Sequence, residues 1–191
     1  IAHEHDPPII HRDIKPHNIL LSYDNGFPIA KVSDFGVSKV VDKEMRITDS
    51  AGTIMFMAPE GFMGIQNTKS DVFSTGLIFY QMLTGYPPWS IDLSTKEYNS
   101  SIEKAVRKAR EIPPKKPSYF YHNINKNLEE IVMTAISLKE NERFGSIIEM
   151  LEAISAYDLK ESTPSSIQSN ENKGNAPKLS GFDDVAGMNE L

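Results

Sequence analysis

A chain of 191 residues, 39% apolar and 24% charged, has the composition of a soluble globular protein and room for one ordinary domain but not for two large ones. Its net charge of -6 and the lack of a dense Lys/Arg block exclude an electrostatic footprint for nucleic acid or for contact with an anionic membrane, leaving proteins and nucleotides as expected partners. Without cysteine there is neither a disulfide framework nor a thiolate zinc site, which fits a reducing compartment such as the cytoplasm, and no apolar run approaches the roughly 20 residues of a spanning helix.

In chain order, Ile9-Ile10, Ile19-Leu20-Leu21 and Ile29 to Val32 are short apolar runs separated by polar loops and by the turn signal Asp24-Asn25-Gly26. They predict small strands with loops between them. From Ser70 to Leu83, the residues Val72, Phe73, Leu77, Ile78, Phe79, Tyr80, Met82 and Leu83 leave almost no polar face, which predicts a buried central helix. Glu97 to Arg110 reads as a surface helix, with Ile102, Ala105, Val106 and Ala109 on one face and Lys104, Arg107, Lys108 and Arg110 elsewhere, ended by Pro113-Pro114. Leu128, Ile131, Val132, Ala135 and Ile136 repeat at helical spacing, and a last helix opens with a capping box from Ser146 to Glu149. The fold class is α+β, mainly helical, with the mixed part first. After Tyr157 the composition turns to Ser, Thr, Asn, Gln, Lys and Pro, so residues 158–179 are expected to be a disordered linker. Within residues 180–191, the string GFDDVAGMNEL, which starts at Gly181, is apolar again.

Three strings carry chemistry. His11-Arg12-Asp13 is followed by Lys15 and Asn18, then by Asp34-Phe35-Gly36 sixteen residues after Asn18, then by Ala58-Pro59-Glu60. In this order and spacing they resemble the signatures of eukaryotic-like serine/threonine protein kinases. The resemblance covers residues 1 to about 157, and LEEIVMTAISLKENERFGSIIEMLEAI is similar to the last helices of bacterial members. Small-molecule kinases of related fold generally lack the equivalents of Arg12, Lys15 and the Ala58-Pro59-Glu60 segment, which favours protein substrates with Ser or Thr hydroxyls.

The resemblance implies a protein-kinase-like C-terminal lobe, with ATP and Mg²⁺ as cofactors. Phosphoryl transfer rests on positioning and charge neutralisation rather than on covalent work by the protein. Asp13 would accept the hydroxyl proton, and Lys15 would follow the moving phosphoryl group as a point charge. Asn18 and Asp34 offer the hard oxygens Mg²⁺ requires. Thr53 matches the threonine that bonds the catalytic Asp and Lys. Asp71 matches the acid that accepts main-chain hydrogen bonds from the catalytic loop, and Glu60 with Arg143 matches a buried ion pair. His11 and Phe35, followed by Gly36, resemble one stacked spine. Leu20, Ile78 and Met82 resemble a second, with Leu20 beneath the adenine, and otherwise read as ordinary core. Arg12 is expected to need a neutralising charge. Lys39 matches its basic helper, while Asp49, flanked by the phosphorylation candidates Thr48 and Ser50, either stands in for a phosphate or is a solvated loop acid.

No GxGxxG loop and no strand-lysine, helix-glutamate pair of the kinase type occurs in the chain. The expectation is a lobe whose N-terminal, ATP-clamping partner lobe lies elsewhere in the parent protein and which is inactive alone. The alternatives are a pseudokinase-like scaffold, against which the intact Asp13, Asn18 and Asp34 speak, and a regulatory module of a kinase-ATPase. The latter is suggested by residues 180–191, which are similar to the onset of AAA-family ATPase domains.

Overall fold

A computed structural model describes residues 2–35, 51–91 and 98–161. Of the expected linker, 158–179, residues 158–161 are instead the end of the last helix; its remainder, 162–179, and the ATPase-like segment 180–191 lie outside the described residues. The chain begins as a loop, makes a single 3-10 turn at Pro16–Asn18, and enters an antiparallel hairpin of β1 (Ile19–Asp24) and β2 (Phe27–Val32). The hairpin turn is Asn25-Gly26, both at positive φ (49° and 84°), the geometry that a two-residue connection demands of its sequence. Ile9-Ile10 forms no strand. It follows Pro7-Pro8, which lack main-chain N–H groups, and the Ile9 N–H donates to the Ala2 carbonyl rather than to a ladder.

Five helices follow: α1 (Ala51–Phe56), α2 (Thr68–Thr84), α3 (Tyr98–Ala109), α4 (Lys126–Ala135) and α5 (Ile147–Glu161). The start of α2 is fixed by a capping box. The Asn67 side chain accepts from the N–H groups of Lys69 and Ser70, and the Ser70 hydroxyl accepts from the Asn67 N–H. Its end is set by Gly85 at φ 73°, whose N–H donates to the Gln81 carbonyl. The box expected at Ser146 is only half formed. The Ser146 hydroxyl accepts from the Glu149 N–H, but the Glu149 carboxylate takes the N–H of Gly145 instead of that of Ser146.

The helix α2 is the hub. Phe73, Leu77 and Tyr80 pack with Ala58, Trp89, Val132 and Ile136, while Val72 packs on another side with Ile131, Ala135 and Met150. Its burial is not complete: Met82 is 77% exposed, and Ile78 and Met82 line an open apolar cavity of about 470 Å³ between the hairpin, α2 and α5. Leu20 is 57% exposed on the hairpin. Leu20, Ile78 and Met82, expected as a spine and otherwise as ordinary core, do not read as ordinary core: two border the cavity and Leu20 faces outward from a two-stranded sheet that no layer covers among the described residues. A second correction concerns Arg110, expected among surface charges, which is 7% exposed. Among the described residues no helix is long and apolar enough to cross a membrane.

The approach of α2 to α4 depends on one missing side chain. A Cβ at Gly76 would stand 2.7 Å from the Ala135 Cβ and 3.0 Å from Ile136 Cγ2, distances that close-packed interiors do not accommodate. Gly76→Val is expected to destabilise the protein by about 1–3 kcal/mol through overpacking, read as a lower urea midpoint at unchanged slope. A midpoint equal to that of wild type would show that α4 can retreat freely.

Candidate active site

The segment from His11 to Asn18 has little regular structure, so its shape depends on side chains beneath it. The buried carboxylate of Asp71, in the first turn of α2, accepts the main-chain N–H of His11 at 2.7 Å and that of Arg12 at 3.0 Å. It is also within 3.0 Å of His3 Nε2. Arg12 is thereby held at φ 70°, a left-handed conformation that costs a non-glycine residue about 1–3 kcal/mol and persists only where the surroundings over-determine it. Asp34, at φ 56°, is the other such residue beside the site.

Around this support four polar side chains converge. Lys15 Nζ donates to Thr53 Oγ1 at 2.6 Å and lies 3.0 Å from Asp13 Oδ2. Asn18, buried, donates its amide nitrogen to the Asp13 carbonyl at 2.8 Å and to Asp13 Oδ2 at 3.1 Å. With the nitrogen so used, the amide oxygen is the atom left for a cation. The Asn18 carbonyl accepts from the Ser33 N–H at 2.8 Å, which ties the loop to the residue preceding Asp34.

The His11 ring is buried between the two halves. Its Nε2 is 2.8 Å from the Ser33 carbonyl, its Nδ1 accepts weakly from the Asp13 N–H at 3.3 Å, and its ring lies 4.8 Å from that of Phe35, tilted by 51°. These bonds assign the proton to Nε2. Phe35 and Asp34 are exposed on the far side of this contact, as Leu20 is on the hairpin. Gly36, Lys39, Thr48, Asp49 and Ser50 lie outside the described residues. Among the described residues no group of three or more His, Cys, Asp or Glu could hold a metal by itself. Asn18 and Asp34 offer two hard oxygen ligands, which fits Mg²⁺ only where water and phosphate complete its shell.

A second cluster secures the downstream strip. Arg143 makes a two-pronged ion pair with Glu60, at 2.7 and 2.9 Å, and also donates to the carbonyls of Ser137 and Lys69. The Ser70 hydroxyl donates to Glu60 at 2.8 Å. Arg110 belongs to the same region, donating to the carbonyls of Met57 at 2.7 Å and Met55 at 3.0 Å. Sequence reasoning assigned it no role. The only signal was its position one residue beyond the last apolar member of the α3 face, where a side chain turns inward.

Burial pushes the Glu60 carboxyl up, but the Arg143 hydrogen bonds, its own N–H, the Ser70 hydroxyl and the Arg143 charge together hold it below its ordinary value of 4.5. A carboxyl depressed in the folded state contributes stability present above pH 4.5 and lost as pH falls through the folded value. Glu60→Gln, which strands Arg143, is expected to lose about 3–5 kcal/mol at pH 7 and to decline less steeply than wild type below pH 4.5 in urea titrations. Identical acid limbs would mean that Glu60 is not a titrating group in unfolding.

A protein kinase domain family model matches residues 1–155. The chain is 35% identical over 144 residues to the serine/threonine-protein kinase Pkn1 of Myxococcus xanthus, an alignment covering 73% of this chain and 20% of the relative. It is 33% identical over 150 residues to the serine/threonine-protein kinase PknB of Mycobacterium leprae, covering 76% and 22%. It is 33% identical over 154 residues to PknB of Mycolicibacterium smegmatis, covering 78% and 23%. The aligned part is thus about a fifth of the length of these curated relatives.

Proposed function

Because the chain belongs to the protein kinase domain family, we propose that the protein it forms part of is a serine/threonine protein kinase and that the Asp13 cluster is the hydroxyl-activating half of its active site. The observation that carries this reading is the convergence of Asp13, Lys15, Asn18 and Thr53 within hydrogen-bonding distance, on a loop braced by Asp71. Four polar groups from two segments far apart in the sequence, the loop from His11 to Asn18 and α1, do not converge for packing reasons alone.

On this reading Asp13 accepts the proton of the substrate hydroxyl and aims its oxygen, with Asn18 fixing the carboxylate. Lys15, shared between Asp13 and Thr53, supplies positive charge where the transferred group passes. Asn18 and Asp34 would hold Mg²⁺, which when bound neutralises phosphate charge. Leu20, exposed on the hairpin, would meet the adenine face of ATP. The Ser33 bond to the Asn18 carbonyl keeps the two metal-ligating positions in one frame. Arg12 and the segment containing Lys39, Thr48, Asp49 and Ser50 would regulate the site through a neutralising phosphate or carboxylate.

The phosphate clamp and the second face of the adenine pocket would come from a lobe whose motifs do not occur in these 191 residues. These residues alone would then bind Mg-ATP weakly and transfer no phosphate.

In the full-length protein, Asp13→Ala is expected to lower kcat for phosphate transfer to a basic protein by about a hundredfold or more while leaving the KM for ATP nearly unchanged. Asp34→Ala should instead weaken productive binding of Mg-ATP, visible as a raised Mg²⁺ requirement. Steady-state kinetics with both variants checks this. Transfer at near wild-type rate after either substitution would turn the reading to a scaffold.

A further inference from the structure

Arg110 lies just past the end of α3, its N–H still donating to the Val106 carbonyl, and its guanidinium is buried without a carboxylate partner among the described residues. Burial and the neighbouring Arg143 pull its pKa down to about 10 against the opposing charge of Glu60, so the cation is held at a cost. What it meets instead is main chain and ring faces: the Met55 and Met57 carbonyls, and the rings of Phe73 at 5.0 Å, Trp89 at 5.5 Å and Phe62 at 5.8 Å.

Those two carbonyls have a particular place. Met55 is in the last turn of the six-residue helix α1 and Met57 is the first residue beyond it, so Arg110 serves the C-terminal end of a helix that leaves carbonyls unpaired. Two residues before Met55 stands Thr53, the acceptor of the Lys15 bond. A helix this short has little stability of its own. Its position is therefore set by what grips it, Lys15 through Thr53 on the site side and, at the other end, Arg110 together with Ser74, whose hydroxyl donates to the Phe56 carbonyl at 2.8 Å. We propose that Arg110 is a positioning residue for phosphoryl transfer, holding the end of α1 so that Thr53 meets Lys15 and Lys15 stays on Asp13.

This rests on the kinase reading above, and the test separates the two. In the full-length protein, Arg110→Met keeps an unbranched apolar stem against the rings but removes both hydrogen bonds, and Arg110→Lys keeps the charge with one compact donor group in place of the fork. Per folded molecule, judged by circular dichroism well below the melting transition, Arg110→Met is expected to lower kcat about tenfold or more with the KM for ATP within about twofold, and Arg110→Lys to recover part of the loss. Added to Thr53→Val, Arg110→Met should cause little further loss, because both act on one contact. Amide exchange at residues 54–57 should also quicken about tenfold or more in Arg110→Met, whatever the activity. Full kcat per folded molecule, additive losses with Thr53→Val, or unchanged exchange at 54–57 would each overturn the assignment. A wild-type protein that transfers no phosphate while exchange still quickens would overturn the kinase reading and leave Arg110 as a clamp on α1.

Discussion

The carboxylate of Asp71 is the point on which the candidate site depends. A loop with only a single 3-10 turn cannot satisfy its own main-chain groups, and its shape is then dictated by whichever buried acceptor is within reach. Asp71 supplies two oxygens from a place where a carboxylate is already favoured, the N-terminal turn of a long helix, and spends them on the N–H groups of His11 and Arg12 and on His3. The left-handed turn at Arg12 follows from those bonds, and it reverses the chain so that Asp13 faces Lys15 and Asn18. Without that acceptor, two buried donors would be stranded and the strain at Arg12 would have nothing to oppose it.

The same turn of α2 holds far more than the loop. Asn67 donates to Glu140, Thr68 to the Gly145 carbonyl and Ser70 to Glu60, while Arg143 donates to the Lys69 carbonyl. Five consecutive residues thus join the loop from His11 to Asn18, the strip after α1 and the connection between α4 and α5. Buried polar networks of this kind specify one arrangement, since each member left unpaired would cost more than its bond returns. The hydrophobic packing of Phe73, Leu77 and Tyr80 one to three turns on gives that arrangement something rigid to stand on.

Much of this was legible in the sequence, because the signals were local. The Asn25-Gly26 turn and the apolar runs flanking it announce the hairpin, and the near absence of a polar face between Ser70 and Leu83 announces the hub. What the sequence did not carry was the identity of the neighbours. A helix that is apolar all round reads as buried on every side, yet Met82 is exposed and Ile78 borders a cavity, because burial depends on what stands opposite and not on the residue itself. Ile9-Ile10 has strand composition but no strand partner. Arg110 fails in the opposite sense: composition puts a charge in water, whereas the Met55 and Met57 carbonyls at the end of α1 and three aromatic faces make a place for it inside.

The site is also unevenly finished, and the unevenness has a physical sense. On the side of Asp13, Lys15, Asn18 and Thr53, each polar group has a partner within this chain, and Asn18 and Thr53 are buried. On the side of Leu20, Asp34 and Phe35 the groups are exposed, and among the described residues no layer covers the apolar surface of the hairpin. Under the proposed function the first side orients a hydroxyl and the second receives a nucleotide. Orienting a hydroxyl requires groups fixed before the substrate arrives, since misplacement by an ångström is expensive in rate. Receiving a nucleotide requires open apolar surface and an accessible carboxylate, and Asp34 stays exposed although the Ser33 hydroxyl donates to it at 3.4 Å. His11 stands at the boundary, bonded to the Ser33 carbonyl, accepting from the Asp13 N–H and in tilted ring contact with Phe35, so a shift of the exposed side is felt by the buried one.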